Sequence, residues 1–584
     1  MEMDAKARNA DIVIIDANVI TCDPSRPRAE AVAIRGERII GVGKTPQVLE
    51  DHGSQSTEVI DAAGKTVTAG FTDCHLHPLP VFPFKSGVYV VDLFEKTSMQ
   101  ALIAALREKA SITPAGQWIM GSGYQDTKLG KWPVATDLDQ VSTQHPIFII
   151  HSSAHVSSVN SFCLQKAGVS PETPDPSGGA IERDGAGNAT GVLREAAATW
   201  ITGRVASNGF PMPTASERDI VDGMELSLKD YAGAGLTSIG ANALLGAPPV
   251  SSGMNLLDAA PTIGIYQKLF EDDRLPVRVN FLTLAYPATG PARSVQDQLT
   301  ARGWRTGRYL DGKKMLRVGP LKLFAGNSLS GRTCRLKEPY TITPAGNPPP
   351  YYGIPYKNAA WQVDLTTPEG RSDLRARITA GHEAGFQWAL HANGDQDIEY
   401  ILDAYEAAQK ANPNPSLRHR IEHCSITSDL LLTRMKAIGV IPVFHEYTWE
   451  HGDKYSEYGE ARIAWMHAYR SAIDKGIRPG HHSDSPVSSM NPFVHIQTMV
   501  TRTSREGIVR GANQAISAQE AIFVATANGA YVSNEEEIKG LVKEGYLADL
   551  VILDRDPTAI NPAGIGNTVV EKTIVGGRIV YSKT

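Results

Sequence analysis

The stretch Gly70-Phe71-Thr72-Asp73-Cys74-His75-Leu76-His77-Pro78 reads as a short buried strand ending in two histidines one residue apart. Successive strand side chains point to opposite faces, so Asp73, His75 and His77 share one side while Cys74 and Leu76 take the other. Two neutral imidazoles on one face at a strand end can bind the same metal ion. A lone His-x-His is weak evidence for this. The rest of the chain has to supply further ligands.

Working outward, strands alternate with helical patterns through the middle of the chain, as in βα units. Eight strands are expected: Phe71–His77, Ser238–Asn242, Val277–Leu284, Gly319–Ala325, Gln387–His391, Arg420–Cys424, Val440–His445 and Ile477–Asp484. Ile398, Ile401, Tyr405 and Ala408 fall on one face of a helix after the fifth strand. The spacing is that of a (β/α)8 TIM-like barrel. Residues 79–211 are too long for one loop and hold their own strand, Pro146–His151, so an inserted subdomain over the barrel mouth is expected. A second insertion, Leu336 to Asn358, is rich in Pro and Gly. Alternating strands near Ile12, Val32 and Ile40 are matched by Leu550-Val551-Ile552 and Ile574-Val575 at the other end. Both termini, 1–68 and 540–584, are therefore expected to build one small β-sandwich domain around the barrel of 69–539.

Composition narrows the class. The 584 residues are 42% hydrophobic and 21% charged, as in an ordinary globular protein. A net charge of -6 gives no footprint for nucleic acid or an anionic membrane. The start, Met1-Glu2-Met3-Asp4, lacks a basic-then-apolar leader pattern, and no apolar run is long enough to span a bilayer. The five cysteines are scattered without a Cys-x-x-Cys pair, a reduced pattern that points to the cytoplasm.

Barrel active sites sit at the C-terminal strand ends. The last ligand-capable residues there are His75 and His77 on the first strand, His391 on the fifth, His423 on the sixth and Asp484 on the eighth. Lys322 adds a group from the fourth. A buried lysine is costly unless neutralised or paired, and a carbamate formed with CO2 would be an anionic oxygen ligand.

With these residues in place the chain resembles the amidohydrolase superfamily, specifically its YtcJ-like branch (the amidohydrolase 3 family). The resemblance runs from the Gly70-to-Pro78 strand through Gly191-Val192-Leu193-Arg194-Glu195 and Lys322-Leu323-Phe324-Ala325. It continues with His391-Ala392-Asn393-Gly394-Asp395, Ile421-Glu422-His423 and Ser483-Asp484-Ser485-Pro486-Val487. It implies one divalent ion held by His75, His77, Lys322 and Asp484 and a second held by Lys322, His391 and His423. It implies a binuclear centre bridged by carboxylated Lys322, with Zn the first expectation and Mn, Co, Ni or Fe also compatible. Such ions activate a water, and Asp484 is suited to take its proton and deliver it to a leaving amine. The implied reaction is hydrolysis of a non-peptide, amide-like C–N bond in a small molecule. The same site could support ester hydrolysis, deamination or decarboxylation. A homodimer is expected from the superfamily alone. The chain departs from the family pattern at Gly326-Asn327 and at Ser152-Ser153-Ala154-His155, which leaves the metal set alone but blocks transfer of a substrate preference.

Other residues hold alternatives. Glu195 could approach the metals or simply begin the next helix. Arg332 could clamp a substrate oxygen or sit in a surface ion pair. His155, Tyr124 and Trp132, with Tyr447 and Trp449, could line a pocket for an apolar or aromatic group. Of His481 and His482, one faces the barrel interior and is expected as a packed, hydrogen-bonded neighbour rather than a ligand, and His52, His145 and His495 are expected at the surface or in loops. Cys74 and Cys424 are expected in the core.

Overall fold

The computed structural model describes residues 9–78, 90–213, 217–245, 262–285, 294–344, 347–358 and 363–583. Eight parallel strands form one sheet in chain order: Phe71–Leu76, Leu236–Ala243, Arg278–Leu284, Leu316–Phe324, Trp388–Ala392, Arg420–His423, Ile441–His445 and Gly480–His482. All eight expected strands are present. The first and last meet through Asp484 N–H donating to the His75 carbonyl (3.1 Å) and His77 N–H to the Ser485 carbonyl (2.8 Å), so the sheet is a nearly closed barrel. The eighth strand is shorter than expected. Pro479 before it has no N–H to give the ladder, and Asp484 after it has φ 57°, outside the strand region. The helix after the fifth strand spans Asp395–Ala411 and buries Ile398, Ile401, Tyr405 and Ala408, the face its periodicity marks.

Between the first two barrel strands lies a six-stranded sheet drawn from Val90 to Glu195, followed by the helix Ala197–Ser207. Its apolar core includes Trp118, Phe148, Leu193 and Ile201. At the termini, one four-stranded sheet comes wholly from the N-terminal segment. A six-stranded sheet joins Asn18–Ile20, Arg28–Ala29 and Thr66–Ala69 to Leu550–Leu553, Val570–Val575 and Arg578–Ser582. Ile14, Val32 and Ile34 of the first pack with Val67, Leu550 and Ile574 of the second. Arg278 ties this layer to the barrel by a buried two-pronged ion pair to Asp549, at 2.7 and 3.0 Å. Of the histidines expected at the surface or in loops, His145 and His495 are buried, each ring bonded to a backbone carbonyl, of Thr113 and Ser489. No helix among the described residues is long and apolar enough to cross a membrane.

Candidate metal centre and active site

The C-terminal strand ends bring together imidazoles and carboxylates from the two ends of the barrel sequence. One ligand-capable atom from each of His75, His77 and Asp484 lies within 4.8 Å of the others. The same holds for His423, His445 and Asp484, and for His75, His423 and His482. Asp484 Oδ1 stands 3.3 Å from His77 Nε2 and 3.5 Å from His75 Nε2. His391 joins through its ring, 4.1 Å from that of His423 between centroids. It stacks on Phe324 (5.0 Å), and Lys322 Nζ lies 4.7 Å from the same Phe324 ring. The structure thus gathers the six groups expected as ligands at one mouth and adds His445 and His482 to them.

Local backbone geometry makes this convergence possible. Arg420 and Glu422 share a strand face, so strict alternation would send His423 the other way. His423 has φ 66°, and Asp484 has φ 57°; both are left-handed, a region non-glycine residues enter at a cost. Asp73, on the His75 face, accepts backbone N–H groups from His75 and Ser483 and so pins the first strand to the eighth. Burial pushes its carboxyl up to about 7, a rise that these hydrogen bonds limit.

The donor set fits a metal. Burial holds His75, His391, His423 and His445 well below the usual imidazole range, in the neutral form that ligates. Buried His75 Nε2, His77 Nδ1, both nitrogens of His423, His445 Nδ1, Asp484 Oδ1 and Lys322 Nζ have no hydrogen-bond partner among the described residues. Leaving so many buried polar atoms unmatched is costly unless a cation or its waters engage them. Lys322 is fully buried, and burial lowers its ammonium to about 8. His75 Nδ1–H donates to Glu422 Oε2 at 2.7 Å, and Arg420 grips both Glu422 oxygens at 2.6 and 2.7 Å. That fixes the tautomer and leaves His75 Nε2 as the open lone pair, the usual support for a metal-binding imidazole. His445 Nε2 bonds Ser488 Oγ at 2.9 Å, leaving Nδ1 open toward Asp484. His482 stacks on His75 at 4.7 Å and its Nε2 accepts the His423 N–H, while its buried Nδ1 has no hydrogen-bond partner among the described residues, so it remains ligand-capable.

The residues weighed for substrate contact divide. Tyr124 is fully buried with its hydroxyl on Ser158 Oγ (3.1 Å), inside the inserted sheet. Trp132 packs on His151 (5.1 Å) under the guanidinium of Arg194. Arg332 is no free clamp and no surface pair. It is buried and bound to Asp126 (3.0 Å) and Glu457 (2.7 Å). Asp126 also meets His151 and Lys454, which joins the insertion to the loops after the fourth and seventh strands. Glu195 does not begin the helix that follows. The helix begins at Ala197, and the Glu195 carboxylate takes His155 Nδ1 at 2.7 Å. Burial disfavours charge on His155, but Glu195 outweighs it and the net shift is upward. Tyr447 is buried against His445, with ring centroids 3.6 Å apart. Beside His77 opens a cavity of about 390 Å³ walled by Val90, Val91, Phe94, Tyr231, Val487 and Met490, with Ser122 and Ser152 among its polar groups.

Reading sequence alone passes over Glu422, Arg420 and His445. His445 ends the seventh strand, so the rule that picks His391 and His423 also reaches it. Arg420-x-Glu422 has the spacing of a same-face ion pair on a buried strand.

The sequence profile of the amidohydrolase family matches residues 58–581. The putative amidohydrolase YtcJ of Bacillus subtilis (strain 168) is 29% identical over 568 residues, covering 95% of this chain and 97% of that protein. The N-substituted formamide deformylase of Arthrobacter pascens is 26% identical over 585 residues, covering 98% and 99%. Among solved structures, an uncharacterized metal-dependent hydrolase from Pyrococcus horikoshii OT3 superposes with a TM-score of 0.67 at 22% identity, over 94% of this chain and 99% of that one, and shares its fold. The chain belongs to the amidohydrolase family, and with it to the metal-dependent hydrolases of carbon–nitrogen bonds.

Proposed function

We propose that this enzyme hydrolyses the amide-like C–N bond of a small apolar or aromatic molecule, with Asp484 as the base. The observation that carries the reading is the set of buried, unmatched lone pairs on His75, His77, His423 and Asp484 around one mouth. His75, His77, Lys322 and Asp484 would hold one divalent ion, and Lys322, as a carbamate, with His391 and His423 a second; Zn is the first candidate. When bound, such ions lower the pKa of a water and polarise a carbonyl oxygen. Asp484 Oδ2 faces His445 rather than the first-strand histidines, so one carboxylate oxygen can serve the ion while the other takes a proton from the attacking water. Oxygen then adds to the substrate carbonyl carbon. The apolar cavity beside His77 would seat the hydrophobic part of the substrate and exclude bulk water from the reacting bond.

The named activity of the Arthrobacter pascens relative makes N-formyl amines the first compounds to try. The test is elemental analysis of the purified protein, followed by a screen of N-formyl and N-acetyl amines, carbamates and ureas for amine release. Chelator-sensitive release of amine and acid is expected. Bound metal with turnover of esters alone would overturn the C–N reading.

A further inference from the structure

C–N cleavage also needs a proton on the departing nitrogen. His155 precedes the insertion strand Val156–Val159, and Glu195 ends the antiparallel strand beside it. The register pairs Val156 with Arg194, so His155 and Glu195 face each other at the sheet end, where Glu195 N–H donates to the His155 carbonyl at 2.8 Å. Glu195 has φ 51°, a conformation non-glycine residues rarely hold and one that clusters at functional sites. Its Oε2 takes His155 Nδ1 at 2.7 Å. Its Oε1 takes the hydroxyl of Thr333, whose own oxygen is already occupied by the Ser328 N–H at 3.1 Å. Both Glu195 oxygens therefore act as acceptors. That places a proton on His155 Nδ1 and leaves Nε2 as the working nitrogen.

The His155 ring lies 5.5 Å from that of His391; Ala154, the residue before it, lines the cavity, and 11% of the His155 side chain stays open. A carboxylate that holds an imidazole through Nδ1 and leaves its far nitrogen available is the logic of the Ser-His-Asp hydrolases, reached here without a serine. No step assigned to Asp484 uses this pair.

We propose that His155, oriented by Glu195, is a catalytic residue that protonates the leaving nitrogen. The proposal rests on the C–N hydrolase reading above and divides its chemistry: Asp484 keeps the base role and His155 takes the acid role. In the step, the Nε2–H bond of the imidazolium breaks as an N–H bond forms on the departing nitrogen. The C–N bond breaks with its electron pair kept by nitrogen, and a neutral amine leaves. The proton Asp484 took from water returns to His155 through solvent, so one water is added across the bond in all.

Leaving-group dependence tests this with the full-length, metal-loaded enzyme. An alkylamine needs a proton to depart, and a para-nitroaniline needs it far less. His155→Gln is expected to lower kcat for an N-alkyl amide on the order of 100-fold, and for the para-nitroanilide of the same acid by less than about 10-fold. KM, metal content and Tm should stay near wild type. Glu195→Gln should give the same pattern with a smaller amplitude, and it carries the test if His155→Gln proves unstable. An equal loss on both leaving groups, or none on either, overturns the proposal. Alkyl and para-nitrophenyl esters of the same acid form a parallel pair. Ester turnover without any amide turnover would end the C–N reading, while the alkyl-to-aryl contrast would still decide the role of His155.

Discussion

The Glu422 carboxylate takes the Nδ1 proton of His75 on one side and the Arg420 guanidinium on the other, all three wholly buried. It touches no reacting atom in the proposed reaction, yet it decides which nitrogen His75 can offer. Glu422→Gln keeps the size but loses the charge that draws this proton. Metal affinity should fall about 10- to 100-fold, measured by competition with a chromogenic chelator, while secondary structure by circular dichroism stays unchanged. Unchanged affinity would remove Glu422 from the centre. Asp484→Asn is a different experiment. It leaves an oxygen for the ion but no base, so the purified variant should bind metal and lose kcat by about 100-fold or more. Full activity in that variant would contradict the base role.

The loops and insertion are joined by charge as well as by apolar packing. Asp126, which opens the short helix after an insertion strand, accepts from Arg332 and His151 and pairs with Lys454, groups that come from three separate segments. Burial opposes ionisation of Asp126, but Lys454, His151 and Arg332 outweigh it and hold the carboxyl well below the usual range. The sign follows: this hub contributes stability that is present above the ordinary carboxylate value and is lost as pH falls through the depressed one. Asp126→Ala would leave buried Arg332 and Lys454 without their shared acceptor. A cost of about 3–5 kcal/mol in denaturant unfolding is expected, and a cost below about 1 kcal/mol would show that the hub is dispensable. The effect belongs to the element scale because it loosens the insertion from the mouth while leaving every candidate metal ligand in place.

At the scale of the whole molecule, the ligands come from strands at both ends of the barrel sequence, so a bound ion cross-links the sheet where it closes. A ligand that binds only the folded state raises stability by mass action. Treatment with a strong chelator should therefore lower Tm as well as abolish turnover, and a divalent ion should restore both. A Tm indifferent to chelation and re-addition would argue that the centre does not help close the barrel.

Much of this architecture is legible in the chain because the relevant signals are local. The alternation around Phe71–Leu76 and the 3.6-residue rhythm from Ile398 to Ala408 are properties of a few adjacent side chains, and they marked eight strands and the helix after the fifth. The ligand-type residues at strand ends are equally visible, since strand direction alone assigns them to one face of a barrel. Tertiary structure alone decided three further things. It paired His75 with Glu422, 347 residues apart, a contact no local pattern encodes. It re-aimed His423 and Asp484 through left-handed backbone that strand alternation does not foresee. It committed Arg332 to Asp126 and Glu457 and matched Glu195 with His155, because the fate of a charge depends on which opposite charge folding brings within reach.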